Sequence, residues 1–129
     1  MTVFLDEGAV LRGKMHLLGC RNVRICGTGR IDDERSSERA VTLDIAGCVN
    51  VEVRDIVVTN PTTWTVRPFA SENIRIDNVK IIGCRGNSDG VDVVNSRHVL
   101  VENLFTRTWD DSLVVKAFGE NDKIGRAHV

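Results

Sequence analysis

Four short segments set a polar residue ahead of alternating apolar positions: Asn22-Val-Arg-Ile, Asn50-Val-Glu-Val, Asn73-Ile-Arg-Ile and His98-Val-Leu-Val. They recur at intervals of about 20 to 30 residues, the range of solenoid coils. After the last three, the likeness continues as Arg54-Asp-Ile-Val-Val, Asp77-Asn-Val-Lys-Ile and Glu102-Asn-Leu-Phe. Period-two alternation, abundant Val and Ile, and Gly or Asn at the breaks predict short strands rather than helices. A further strand per coil is expected at Val41-Thr-Leu-Asp-Ile, Trp64-Thr-Val-Arg-Pro, Gly90-Val-Asp-Val-Val and Ser112-Leu-Val-Val-Lys. Equivalent strands of successive coils then stack as parallel sheets about 4.8 Å apart around a narrow apolar interior. Cys20, Cys48, Ser71 and Ser96 share one register, two residues ahead of the polar position, which predicts an internal column of small side chains. The expected fold is all-β, a parallel β-helix of roughly five coils, incomplete at both ends.

Composition narrows the picture without changing it. The chain has 129 residues, of which 42% are hydrophobic, enough for one domain with a buried core. Acidic and basic residues nearly cancel, to a net charge of −1, so neither nucleic acid nor an anionic membrane is an expected partner. No stretch reaches the roughly 20 apolar residues that span a bilayer. The opening Met1-Thr-Val-Phe-Leu-Asp-Glu lacks the pattern of a secretory signal, which is expected to lie outside this chain if the parent protein has one. Cys20, Cys26, Cys48 and Cys84 have neither metal-ligand spacing nor disulfide-framework density, and read as buried free thiols. No linker interrupts residues 1–123, which are expected to form one domain.

Candidate chemistry lies in two successive coils. Aligned by their strands, Asp89-Gly90-Val91-Asp92 falls over Asp110-Asp111-Ser112-Leu113, so Asp89 is expected near Asp110. Gly90, lacking a side chain, is expected to leave space beside Asp111 for a ligand or water. Three acids gathered this closely resist simultaneous ionisation, which predicts a raised pKa in at least one of them. The competing reading makes Asn87-Ser88-Asp89-Gly90 and Trp109-Asp110-Asp111 ordinary polar turns. Strict alternation also sends Asp110 and Asp111 to opposite sides, so a shared cleft requires a bend or bulge.

Asn60-Pro61, Trp64-Thr-Val-Arg-Pro, Ser71-Glu-Asn-Ile-Arg-Ile, Asn87-Ser-Asp-Gly-Val-Asp and Arg107-Thr-Trp-Asp-Asp-Ser-Leu-Val-Val-Lys116 come in an order and at a spacing that resemble those of the polygalacturonases, glycoside hydrolase family 28. Phe4-Leu-Asp-Glu-Gly-Ala-Val-Leu and Val23-Arg-Ile-Cys-Gly-Thr-Gly-Arg-Ile-Asp resemble its opening coils. The resemblance implies a right-handed β-helix and inverting hydrolysis of a galacturonan-type polysaccharide, with no cofactor and no metal. It makes Asp110 the acid that protonates the leaving oxygen, and Asp89 and Asp111 the groups that hold and deprotonate water. Inversion usually sets acid and base about 6.5–9.5 Å apart. Asn87 either positions Asp89 or sugar hydroxyls, or caps its turn. Lys116 either faces a substrate carboxylate or ends its strand in solvent. The implied parent is a monomeric secreted, periplasmic or cell-surface enzyme.

Departures from the family pattern bear on substrate choice. Trp109 stands where the family has Gly, and forms either a sugar-stacking wall or a constriction. Trp64, among strand-like neighbours, is expected in the core. The family's later Gly-His-Gly and Arg-Ile-Lys elements are missing, so the isolated chain is expected to be inactive. His128 does not match them. Ile124-Gly-Arg-Ala-His-Val129 can instead be encoded by ATC-GGA-AGA-GCA-CAC-GTC, the read-through of a common sequencing adapter, and residues 124–129 are expected to be a non-native tail. Other functions remain open: hydrolysis of another polysaccharide on the same fold, a cation-assisted lyase, or a non-catalytic carbohydrate-binding β-helix.

Overall fold

A computed structural model describes residues 1–119 and the backbone of Ala127–His128. Each coil contributes three strands. The first coil holds β1 (Thr2–Phe4), β2 (Val10–Arg12) and β3 (Met15–Leu18), and the second β4 (Arg21–Cys26), β5 (Arg30–Asp32) and β6 (Leu43–Ala46). β7 (Val49–Arg54), β8 (Val57–Thr59) and β9 (Val66–Phe69) make the third; β10 (Glu72–Asp77), β11 (Lys80–Ile82) and β12 (Val91–Val94) make the fourth. β13 (Arg97–Glu102), β14 (Phe105–Arg107) and β15 (Leu113–Lys116) complete the fifth, and β16 (Ala127–His128) pairs beyond it. The result is the expected all-β parallel solenoid. Its sheets run β1-β4-β7-β10-β13-β16, β2-β5-β8-β11-β14 and β3-β6-β9-β12-β15. Of the expected tail, only Ala127 and His128 are described, lying opposite Val99 and Leu100; the rest is outside the described residues.

Stacked apolar columns fill the interior. Val23, Val51, Ile74 and Val99 lie in one register, and Ile25, Val53, Ile76 and Val101 in the next inward one; all are buried. Ile31, Val58 and Ile81 line the second sheet, and Leu43, Val66 and Val91 the third. A lone coil has no partner for its inward face, so each depends on the coils above and below.

Why the repeats carry Asn is a matter of backbone geometry. Asn22, Asn50, Asn73 and His98 have φ of 55°, 58°, 56° and 54°, turning each chain into the first sheet through the left-handed region. Asn tolerates that conformation better than most residues. Its amide then links coils: Asn50 Nδ2 donates to Asn22 Oδ1 at 3.0 Å, and Asn73 Nδ2 to Asn50 Oδ1 at 3.2 Å. A second ladder joins Asn78 to Asp55 at 3.0 Å, where φ is again positive.

The small-residue column is present and is a hydrogen-bonded one. The Cys48 N–H donates to Ser71 Oγ at 2.9 Å, and the Ser71 N–H to Ser96 Oγ at 3.0 Å. All four cysteines are free, but only Cys48 is buried; Cys20 and Cys26 are half-buried and Cys84 is exposed, against the expectation of four buried thiols. Cys84 falls in the loop after β11, beyond the inward columns. Burial pushes the Cys48 thiol upward, which suits a packing role.

Asn50 sits mid-ladder, so Asn50→Ala is expected to lower unfolding free energy by about 1–3 kcal/mol through left-handed strain and lost amide bonds. Asn50→Gly, which relieves the strain, is expected to cost less. Urea titration of both variants checks the order.

Candidate active site

Four loops stack on one edge of the solenoid where the chain enters the third sheet: residues 33–42, 60–65, 83–90 and 108–112. Backbone bonds continue the sheet register into them. Gly90 N–H donates to Asp111 O at 2.8 Å and Thr65 N–H to Asp89 O at 3.0 Å, extending the pairs Val91↔Leu113 and Val66↔Val91. Asp89 therefore stands opposite Asp111, one residue away from the sequence alignment. Gly90 opposes Ser112, and it leaves no ligand space: a Cβ there would lie 2.2 Å from Ser112 O and 2.9 Å from Thr106 Cγ2. Its lack of a side chain serves close backbone approach.

The three expected carboxylates nevertheless converge. One oxygen each from Asp89, Asp110 and Asp111 lies within 4.8 Å of the others. The opposite-sides problem does not arise, because residues 109–112 form a bend before β15 begins and strand alternation does not govern them. The bend is held locally: the Thr108 hydroxyl donates to Asp110 O at 3.1 Å, and the Asp111 N–H to Asp110 Oδ1 at 3.0 Å. Across the loops, the Trp109 N–H donates to the fully buried Ser88 Oγ at 3.3 Å. Asp89 is 3% exposed, whereas Asp110 and Asp111 face solvent. Such a cluster can share a water or a divalent cation among its oxygens.

Lys116 is not a solvent-facing strand end. Its half-buried ammonium donates to Asp92 Oδ1 at 2.6 Å and Asp89 Oδ2 at 3.2 Å, and lies 3.8 Å from the centre of the Trp64 ring. Trp64 is accordingly half-buried and outside the apolar interior, in register with Asp89 one coil earlier. A cation over an indole face is attracted to its electron-rich centre. Asn87 is exposed, with φ of 59° in the turn closed by Ser88 N–H to Arg85 O, and Trp109 is 73% exposed beside Asp110.

Asp92 is the site residue that sequence reasoning passed over. Val91 and Val93 point into the core, so alternation turns Asp92 outward, yet Lys116 and its neighbours cover it completely. The available signal was an acid inside an apolar strand, one register from the basic Arg67. Burial pushes Asp92 up to about 7; the Lys116 hydrogen bond opposes this and the Asp89 charge adds to it. Burial disfavours the Lys116 ammonium, but Asp92 and Asp89 outweigh it and raise that pKa. Among the described residues, Asp89 Oδ1 and Asp92 Oδ2 are buried with no hydrogen-bond partner.

The raised Asp92 pKa fixes a sign. The folded state keeps this proton to about pH 7, while the unfolded chain releases it near pH 3.9. This contribution to stability is complete below the unfolded value and is lost as pH rises through about 7. Relative to wild type, Asp92→Asn is expected to gain stability between about pH 4 and pH 8, by on the order of a few kcal/mol. Paired urea titrations across that range check it; a difference independent of pH contradicts it.

A candidate glycosyl hydrolase from Parabacteroides merdae superposes with a TM-score of 0.75 at 14% identity, over 97% of this chain and 74% of that one. A hyperthermoactive exopolygalacturonase from Thermotoga maritima superposes with a TM-score of 0.74 at 24% identity, over 79% of this chain and 34% of its own. These likenesses establish the shared fold. No curated protein matches the chain. The model of glycosyl hydrolases family 28 matches residues 13–128, and the chain belongs to that family.

Proposed function

We propose that this chain carries the acid cluster of a hydrolase that cleaves pectin-type polysaccharide, in the manner of a polygalacturonase. The observation that carries the reading is the convergence of Asp89, Asp110 and Asp111, from two consecutive loops, to within 4.8 Å. Asp110, exposed at the outer side of the bend, protonates the leaving glycosidic oxygen. Asp89 and Asp111 hold the attacking water and take its proton. Asp89 suits this role because one oxygen is fixed by Lys116 while the other has no partner among the described residues. Lys116 is thereby a positioning residue for Asp89, not a free ligand for substrate. Trp109 offers an exposed ring for stacking against a sugar beside Asp110, and Asn87 an amide for sugar hydroxyls.

Inversion is part of the proposal, and the oxygen spacing bears on it. The nearest oxygens of the acids lie within 4.8 Å of one another, while most inverting pairs set the carboxyl groups themselves ~6.5–9.5 Å apart. Asp110 and Asp111 are exposed, so side-chain rotation on sugar entry widens the gap without disturbing the core. A polymeric substrate of this kind fits a secreted, periplasmic or surface-bound parent that works as a monomer.

In the intact gene product, Asp110→Asn is expected to lower reducing-end release from polygalacturonate by about 10²–10⁴-fold, the usual weight of a general acid. Undiminished release defeats the assignment. Proton NMR of the first products is expected to show the inverted anomer; the retained anomer rejects the water-first mechanism. Faster cleavage of a neutral glucan than of polygalacturonate moves the substrate to the second reading, which the exposed Trp109 favours.

A further inference from the structure

Beside the acid cluster, toward the first coils, the same loop edge holds a pocket of about 320 Å³ lined by Ser36, Ser37, Arg39, Thr62, Arg85 and Gly86. We propose that this pocket is a subsite for the carboxylate of a uronic-acid unit some distance from the cleaved bond. The proposal rests on the hydrolase reading for its polymer, and on the pocket's own chemistry for its charge.

Two arginines from different loops line the pocket. Arg39, in the loop 33–42, donates through Nη2 to Gly86 O at 3.0 Å; Arg85, in the loop 83–90, donates through Nη2 to Glu34 O at 3.0 Å. Each arginine is held by the other's loop, so the pair is positioned before any ligand arrives. Only one nitrogen of each is used in these bonds, which leaves donors for an anion. Glu34 and Glu38 share the loop, yet among the described residues neither arginine forms an ion pair. Elsewhere on the molecule Arg24, Arg67, Arg75 and Arg97 each have a carboxylate partner.

The floor is rigid and electrically balanced. Thr62 hydrogen bonds the buried Asp33 carboxylate through both its hydroxyl, at 3.1 Å, and its N–H, at 3.3 Å, and Lys14 pairs with the same oxygen. Lys14 neutralises Asp33, so that acid does not repel an incoming anion. Ser36 and Ser37 add hydroxyls at the wall. The volume lies within the ~300–1,000 Å³ of small-ligand sites.

Position links the pocket to the polymer. It spans the loops of the second to fourth coils, and the acids those of the fourth and fifth; successive coils are about 4.8 Å apart. A chain laid along the stack crosses both. Two fixed cations there favour an acidic polymer over a neutral or fully esterified one.

Calorimetric titration of the 129-residue chain with trigalacturonate and with its methyl ester tests this, circular dichroism confirming that each variant keeps its β structure. Wild type is expected to prefer the acid by about tenfold, a preference that fades with added salt. Arg39→Gln with Arg85→Gln is expected to erase it, and Arg39→Lys with Arg85→Lys to keep part of it. Absent binding, equal binding of acid and ester, or a preference that survives the Gln substitutions overturns the subsite. So does displacement of the trimer by equimolar inorganic phosphate, which identifies a general anion site. The hydrolase reading fails separately: undiminished cleavage after Asp110→Asn alongside an intact acid preference supports the pocket while removing the chemistry.

Discussion

Everything in this molecule depends on one coil lying in register on the next. A three-residue or six-residue strand has too little apolar surface to hold a fold, and here each inward valine or isoleucine is covered only because its counterparts sit directly above and below it. The same register sets the outside. Arg24 meets Glu52 and Arg67 meets Asp44 because strands of equal phase place them side by side, and Arg75 reaches Glu102 diagonally, two residues along the neighbouring strand on the same face. Stacking therefore decides both what is buried and which charges become neighbours.

The acid cluster is a product of that stacking with one deliberate interruption. Asp89 is carried by a loop whose backbone already follows the sheet register, and so it is buried and fixed. Asp110 and Asp111 belong to a bend that has left the register, and so both reach the same side and stay in solvent. One buried carboxylate and two solvent-facing ones is the arrangement that the proposed hydrolysis uses. Lys116 extends the design from the next strand, clamping Asp89 and Asp92 against the face of Trp64.

The sequence made the scaffold legible because repetition and alternation are local properties that survive in one dimension. Asn22, Asn50, Asn73 and His98 mark the same corner of successive coils, and the strands fall where their flanking valines and isoleucines alternate. The closeness of Asp89 to the Asp110–Asp111 pair was legible for the same reason, but the bend that turns both of those acids to one side was not. Nor was their relative register: the alignment displaced Asp89 by one residue, because the pairing of Val91 with Leu113 that fixes it has no local signature. Trp64 and Lys116 were misplaced for a related reason. Alternation separates the two faces of a strand but cannot say that the outer face is itself covered, as it is where Asp92 lies beneath Lys116.

The unequal loops on the edge that bears the acids have a consequence for diversification. Residues 33–42 make the longest of the four, tied down by Asp33 and Thr62 at its base while its middle stands clear of the sheets. Lengthening, shortening or recolouring that middle alters what the surface greets without shifting a ladder bond beneath the carboxylates. The proposed cleavage and the proposed subsite thus draw on different parts of the chain, and the loop can vary while the acid cluster keeps its place.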